Sequence, residues 1–168
     1  MVPGTLPEAR LSVHHRRTRE FNDRMKPIQW NSEFETGVAE IDLQHRVLIG
    51  RFNEANATLH DHSGLDVWEH FTYDLLSYAL YHFSTEEKQA ADFGFDREES
   101  ADALAHREQH RSFSAHITSM REQLHAGARP SRKQFLGFLS TWLVEHILHT
   151  DKRLGAFIVA KRQMARCY

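Results

Sequence analysis

Residues 142–151 have the sequence WLVEHILHTD, an apolar helical pattern with four ionisable side chains, of which His146 and Asp151 are candidates for burial. His146 is in helical phase with Leu139 and Leu143, so we expect it to face the interior of a helical protein. Asp151 follows five residues after His146. On a regular helix that spacing points the two side chains about 140° apart. We therefore predict a π-type turn here, which would bring Asp151 to the same interior site.

The same pattern occurs in three other segments, where ionisable side chains fall on otherwise apolar helical faces. His45 lies three residues before Leu48 and is one example. The other inward-facing members of the set are His82, Glu86, His106 and His110. Burial of an unpartnered polar group costs about 1–3 kcal/mol, and a domain has a net stability of only roughly 5–15 kcal/mol. Seven such groups therefore indicate a compensating interaction, and metal coordination is the one that we expect.

Capping residues and glycines predict four helices joined by short loops. We expect them at residues 42–60, from just after 66 to 93, from the capping-box-like segment at 96 to just before 127, and from 131 to about 155. Asp42 is expected to cap the first helix. Gly155 is expected to end or loosen the fourth, before a short extra helix over 157–164. No strand-like alternation is present, so the predicted fold class is all-α, an antiparallel up-down-up-down four-helix bundle.

The remaining sequence limits the domain organisation and the classes of partner. The chain has 168 residues, which fits one domain, with residues 28–168 as the bundle and 1–27 as an irregular, basic N-terminal arm. The arm lacks the apolar segment of a secretory signal, and no segment is apolar enough to span a membrane. The net charge of −2 does not favour nucleic acid as a partner. A single cysteine favours a reducing, cytoplasmic environment.

The number of candidate ligands indicates more than one metal ion. Five imidazoles and two carboxylates exceed the ligand set of a tetrahedral zinc site. They suit two six-coordinate ions that share the carboxylates and a solvent-derived bridge, which leaves one coordination position open on one ion. This mixture of donors is compatible with iron, manganese or zinc.

Four spaced motifs resemble the hemerythrins, and most closely the bacterial single-domain branch, the bacteriohemerythrins. Starting at residues 38, 82, 106 and 142, the motifs are VAEIDLQH, HFSTEE, HxxxH and WLVEHIxxxD. The resemblance covers about residues 30–155 with every metal-ligand position filled, and the agreement of several spaced motifs makes it specific. The segment between Glu86 and His106 is longer than is usual in this family.

The resemblance implies a non-haem di-iron centre with an oxo or hydroxo bridge. His106, His110 and His146 would complete the coordination of one iron. His45 and His82 would hold the other iron, which has the vacant coordination position. Glu86 and Asp151 would bridge the two irons. Dioxygen is expected to bind reversibly at the vacancy, which implies an oxygen carrier, store or buffer and not an enzyme. The resemblance places the oxygen pocket among Leu48, Phe83, Trp142, Leu143 and Leu148.

Three alternatives to an oxygen carrier stay open. One is a sensor of oxygen or iron that acts through a protein partner, with the N-terminal arm as its contact. Another is a di-iron enzyme with weak peroxidase or nitric-oxide activity. The third is the storage or delivery of iron, against which resistance to chelators would argue. Ferritin-like di-iron enzymes are less compatible with the sequence, because they need two Glu-x-x-His motifs and only residues 122–125 supply one.

Overall fold

The computed structural model describes residues 25–97 and 100–166 of the chain. Within these ranges the structure is helical and contains no strand, which confirms the all-α fold class. Most of the expected N-terminal arm lies outside the described residues. The elements are a 3₁₀ turn (Ser32–Phe34), α1 (Ala39–Thr58), α2 (Leu65–Phe93), α3 (Ala101–His125), α4 (Arg132–Glu145), a π-helical segment (His146–Asp151) and α5 (Lys152–Ala165). None of the described helices is both long enough and apolar enough to cross a membrane.

Neighbouring helices of the bundle run antiparallel, as their cross-helix contacts show. Gln44 on α1 bonds Thr85 on α2, and the earlier residue Glu40 bonds the later residue Gln89. Contacts between α2 and α3 show the same reversal, with Glu86–His106 and Glu69–Arg121. So do those between α3 and the last rod, which α4, the π-helical segment and α5 form, with His106–Asp151 and His116–Phe138. The contacts between α1 and this last rod, His45–Asp151 and Asn56–Arg132, complete the set. The four rods therefore form the predicted up-down-up-down arrangement.

Short polar caps determine where α3 and α4 begin. The Ser100 hydroxyl accepts a hydrogen bond from the Ala103 N–H, and Ser131 caps α4 through the Gln134 N–H. Gly94, with φ of 81°, ends α2 in the left-handed conformation. The predicted start of α3 at residue 96 was therefore wrong, because the chain is still in the turn after Gly94 there and the effective cap is Ser100.

The start of α1 also differs from the prediction. The helix begins at Ala39, and Asp42 lies inside its first turn rather than at the cap. One Asp42 carboxylate oxygen accepts from both the backbone N–H and the hydroxyl of Thr36, each at 2.7 Å. Asp42 thus fixes the incoming loop against the helix, a contact that local sequence does not reveal.

The fourth rod is continuous from Arg132 to Ala165, so the prediction that Gly155 ends or loosens it was wrong, and residues 157–164 are part of the same rod. Gly155 is buried within α5. A Cβ atom at this position would lie 2.4 Å from the carbonyl oxygen of Thr36. Glycine is needed here because the loop before α1 packs directly on the helix backbone.

Two apolar clusters lie on either side of the ionisable residues along the bundle. The large apolar cluster includes Phe52, Trp68 and Phe135, and the small apolar cluster includes Ile41 and Ile158. On α1, for example, the order is Ile41, His45, Phe52. The ionisable residues therefore form one layer between two water-excluding clusters, which we call the ionisable layer; its members are His45, His82, Glu86, His106, His110, His146 and Asp151.

Candidate metal centre

All seven side chains that the sequence singled out are buried in the ionisable layer, each with 3% or less of its surface exposed. Their donor atoms form two groups, and within each group the atoms lie within 4.8 Å of one another. One group comprises Glu86, His106, His110, His146 and Asp151, and the other comprises His45, His82, Glu86 and Asp151. The two groups share both carboxylates, which is the arrangement expected of two neighbouring ions with bridging acids.

The fourth rod contains the π-helical turn that the spacing of His146 and Asp151 predicted. Residues His146–Asp151 are π-helical, and the rod returns to α-helix immediately afterwards. The wider turn brings an Asp151 carboxylate oxygen to 3.1 Å from His146 Nε2. The prediction is confirmed, and the turn explains how residues five apart reach one site.

Amide oxygens orient two of the imidazoles. His82 Nδ1 lies 3.0 Å from Gln44 Oε1, and His146 Nδ1 lies 2.6 Å from Gln109 Oε1. An amide oxygen only accepts hydrogen bonds, so Nδ1 must carry the proton in both rings. Thr150 donates to the same Gln109 oxygen at 2.9 Å, which is consistent with this amide orientation. Each Nε2 is therefore directed into the layer with a lone pair available for a ligand bond.

A carboxylate orients His110 in the same way. His110 Nδ1 donates to Glu87 Oε1 at 3.2 Å, and the Glu87 side chain is half exposed at the edge of the layer. His110 Nε2 then faces His146 Nε2 at a distance of 3.0 Å. With both Nδ1 atoms protonated, two nitrogen lone pairs point at each other, and they repel unless a cation lies between them.

This nitrogen–nitrogen distance fits two ligands of a single metal ion. Metal–imidazole bonds are about 2.1 Å long, and two such bonds at a right angle place the nitrogens about 3 Å apart. The observed 3.0 Å between His110 and His146 matches that edge.

Several polar atoms of the layer are buried without a hydrogen-bond partner among the described residues. They are both ring nitrogens of His45, His82 Nε2, Glu86 Oε1 and both carboxylate oxygens of Asp151. Some lie close together, as do His45 Nε2 and an Asp151 oxygen at 3.1 Å, but without hydrogen-bond geometry. An unsatisfied buried group costs about 1–3 kcal/mol. A pair of cations would satisfy all of these atoms except His45 Nδ1, because His45 Nε2 is the nitrogen that faces Glu86 and Asp151. The donor set therefore fits a dinuclear metal centre.

The electrostatics of the layer also require positive charge. Burial alone would raise the pKa of Glu86 and Asp151, but the surrounding histidines hold both pKa values well below their usual range. Burial disfavours the charged form of His45 and His106, but contacts with these carboxylates outweigh it and raise the two pKa values to about 9 and about 10. Burial lowers the pKa of His146 to about 4. When no metal is bound, protons on His45 and His106 balance the acids.

An apolar cavity of about 20 Å³ lies beside the layer, on the side of the large apolar cluster. Four of the five residues predicted for the oxygen pocket line it, namely Leu48, Phe83, Trp142 and Leu143. Leu148 does not; it is partly buried at the margin of the large apolar cluster. Residues that the sequence did not single out complete the wall: Phe52, Leu75, Ala79, Phe113 and Leu139.

Sequence reasoning missed the three side chains that orient the imidazoles, Gln44, Glu87 and Gln109. Gln44 and Glu87 each adjoin a candidate ligand in the sequence, His45 and Glu86. The imidazole that each one contacts lies on another helix, so neither periodicity nor spacing indicated the pairing. The available signal was only a polar residue next to an inward-facing ligand.

Comparisons with known proteins agree with this geometry. The profile of the hemerythrin HHE cation binding domain matches residues 36–158. A bacteriohemerythrin of Clostridium acetobutylicum is 29% identical over 73% of this chain and 95% of its own length. A bacteriohemerythrin of Methylococcus capsulatus is 26% identical over 81% of this chain and all of its own length.

A solved structure shows the same fold. The crystal structure of a wild-type hemerythrin superposes with a TM-score of 0.70 at 25% identity, and the match covers 79% of this chain and 98% of that one. The family profile spans the helices that carry the ionisable layer. The chain therefore belongs to the hemerythrin family.

Proposed function

We propose that this protein binds dioxygen reversibly at a non-haem di-iron centre and acts as an oxygen carrier, store or buffer rather than as an enzyme. The observation that carries the proposal is the pair of donor groups that share Glu86 and Asp151. His106, His110 and His146 would hold one iron, His45 and His82 would hold the other, and the two carboxylates would bridge them.

The unequal division of histidines leaves room for one small ligand. Three imidazoles, two carboxylate oxygens and a solvent-derived bridge would make six ligands for the first ion. Two imidazoles, the same carboxylates and the same bridge would make five for the second. The open position would therefore belong to the ion beside His45 and His82, and the two ferrous ions together would supply the electrons that dioxygen needs for reversible attachment.

The protein walls around the layer favour gas access on that side. Phe83 stacks on the His110 ring at 3.8 Å, and Trp142 stacks on the His146 ring at 4.2 Å. Aromatic rings thus cover two of the three imidazoles of the first ion. Both rings also line the apolar cavity, together with Leu48 and Ala79, which each lie one helical turn from His45 or His82. The cavity therefore reaches the helical turns that carry His45 and His82, which supports a route for a small apolar gas to the second ion.

The lining of the cavity supports reversible binding rather than reduction of dioxygen. All nine of its lining residues are apolar or aromatic, and none carries a titratable group. Cleavage of the oxygen–oxygen bond needs protons, which such a wall does not supply. An apolar pocket also disfavours the escape of charged superoxide or peroxide and so favours the return of neutral dioxygen.

Anaerobic loading followed by an oxygen cycle tests the proposal. The protein is loaded with ferrous iron without air, its iron content is measured, oxygen is added, and the gas is then removed under vacuum. We expect two irons per chain and a visible charge-transfer band that appears with oxygen and disappears on its removal. Irreversible conversion to the diferric form would favour the enzyme or sensor alternative. A content of one iron per chain would overturn the dinuclear assignment.

Filling the cavity tests the gas route separately. Leu48→Phe adds bulk where only about 20 Å³ is free, so we expect slower oxygen association with the iron content unchanged. The matched control is Leu43→Phe, since Leu43 is on the same helix but is exposed to solvent. Stopped-flow absorbance measures both variants. Equal association rates in both variants would show that gas reaches the centre by another path.

A further inference from the structure

The imidazoles of the ionisable layer differ in whether the group that accepts a hydrogen bond from Nδ1 is neutral or negatively charged. His82 and His146 bond neutral amides, those of Gln44 and Gln109. His45 Nδ1 has no hydrogen-bond partner within the described part of the chain. Among the hydrogen bonds of residues 25–97 and 100–166, Glu87 is the one acid that holds a candidate ligand at Nδ1, with 3.2 Å between its Oε1 and His110.

Resting on the proposed di-iron function, we propose that Glu87 is a positioning residue that sets the redox balance between the two irons. A carboxylate that accepts a hydrogen bond from a ligating imidazole makes that ligand more basic. Its negative charge also favours the higher charge of ferric over ferrous iron. Glu87 therefore lowers the reduction potential of the ion held by His110 relative to the ion held by His45 and His82.

The geometry separates this role from a purely structural one. The Glu87 side chain is half exposed and belongs to neither apolar cluster, so its replacement leaves the packing of the bundle intact. Glutamine has almost the same shape, and its amide oxygen accepts an imidazole N–H, as Gln44 and Gln109 do in this protein. Glu87→Gln thus keeps the orientation of His110 and removes only the charge.

The converse variant is available on the other side of the centre. Gln44 occupies at His82 the position that Glu87 occupies at His110. Gln44→Glu would place a carboxylate behind the ion with the vacancy, and we expect it to lower the potential of that ion. Glu108→Gln is the matched control, because Glu108 is exposed and pairs with Arg111 instead of an imidazole.

The experiment measures the reduction potentials of the iron-loaded variants by spectroelectrochemical titration and their zinc affinities by competition with a chromophoric chelator. For Glu87→Gln we expect the preference of the ion held by His110 for the ferric over the ferrous state to fall about tenfold. For a one-electron couple this change raises the reduction potential of that ion by about 59 mV. Zinc affinity should fall in the same variant, since a less basic imidazole binds any cation less tightly.

The results distinguish failure of the Glu87 proposal from failure of the oxygen-binding proposal. Potentials and zinc affinity in Glu87→Gln that equal those of Glu108→Gln would overturn the role of Glu87. A wild-type chain that holds a stable iron pair but never binds dioxygen would sink the oxygen proposal alone, because the potentials need no oxygen. If iron does not load as a pair, the zinc competition still decides whether the Glu87 charge strengthens the site.

Discussion

The large apolar cluster and the ionisable layer occupy the same four helices but are stabilised in different ways. In the cluster, aromatic and aliphatic side chains contact one another directly, as Phe135 does with Trp68 and Phe71 at ring distances of 5.5 and 5.9 Å. In the layer, six polar atoms of His45, His82, Glu86 and Asp151 lack hydrogen-bond partners among the described residues.

The difference indicates that the large apolar cluster needs no bound cation, whereas the ionisable layer needs cations to balance its buried carboxylates. Burial of apolar surface stabilises the cluster whatever the metal content of the solution. The layer carries two ionised carboxylates that need cations, either protons on His45 and His106 or metal ions. Metal binding should therefore change the stability of the layer strongly and leave the intrinsic contribution of the cluster unchanged.

The largest expected effect is on metal loading in Glu86→Ala. Loss of a shared ligand should remove at least one ion per chain and the stabilisation that it gives. That stabilisation is about 4 kcal/mol per ion when free metal is roughly 1,000-fold above its Kd. Elemental analysis and denaturant unfolding with and without zinc measure both quantities. Glu122→Ala, an exposed change on α3, is the control. Two tightly held ions in Glu86→Ala would mean that the bridge is assigned incorrectly.

The next effect belongs to the large apolar cluster. Phe135→Ala should lower the free energy of unfolding by about 3–5 kcal/mol, because it leaves a cavity against Trp68 and Phe71. Unlike the loss of Glu86, this change should cost the same with and without zinc. Chemical denaturation under both conditions is the measurement. A cost that depends strongly on zinc would show that the cluster and the layer are coupled.

A smaller effect is expected where the loop before α1 packs on α5. Gly155→Ala should destabilise the fold by about 1–3 kcal/mol, since the added Cβ would overlap the Thr36 carbonyl, 2.4 Å away. The matched control is Gly137→Ala, on α4, where nothing lies within 4 Å of the added atom. That change should stabilise by about 0.4–1 kcal/mol through the unfolded state. Thermal melts compare the two, and equal shifts would argue against the close approach.

The smallest effect is a proton count on metal loading. Near pH 7.5, about two protons should leave as zinc binds, because the pKa values of His45 and His106 are raised to about 9 and about 10. Calorimetric titration in buffers of different ionisation enthalpy gives the number. Zinc affinity should rise with pH until the pH passes these pKa values, and release should then stop. A pH-independent count near zero would contradict the charge balance of the layer.

The same shifts determine how the metal-free protein responds to pH. The folded pKa of His45 lies above its unfolded value of 6.5. Its contribution to stability is therefore complete below about pH 6.5 and is lost as the pH rises through 9. Unfolding experiments at pH 6 and pH 10 should show lower stability at the higher pH when chelator is present, and this difference should shrink with zinc.

The sequence by itself determined the four helices, the seven inward ionisable side chains and the π turn between His146 and Asp151. These features depend on helical periodicity, which is a property of a few neighbouring residues and is readable from their spacing. Helix starts were less predictable. At α3, acidic residues resembled a capping box that starts at Asp96, but the chain is still in the turn after Gly94 at that residue, and Ser100 forms the cap.

Only the tertiary structure decided which atoms meet across helices. Periodicity tells which face a residue occupies, but not the axial register between helices that are far apart in the chain. That register pairs Glu87 with His110 and Gln109 with His146. It also places the apolar cavity beside Leu48 rather than Leu148, and it packs Thr36 against Gly155. Such contacts depend on close packing of whole rods, which no local pattern encodes.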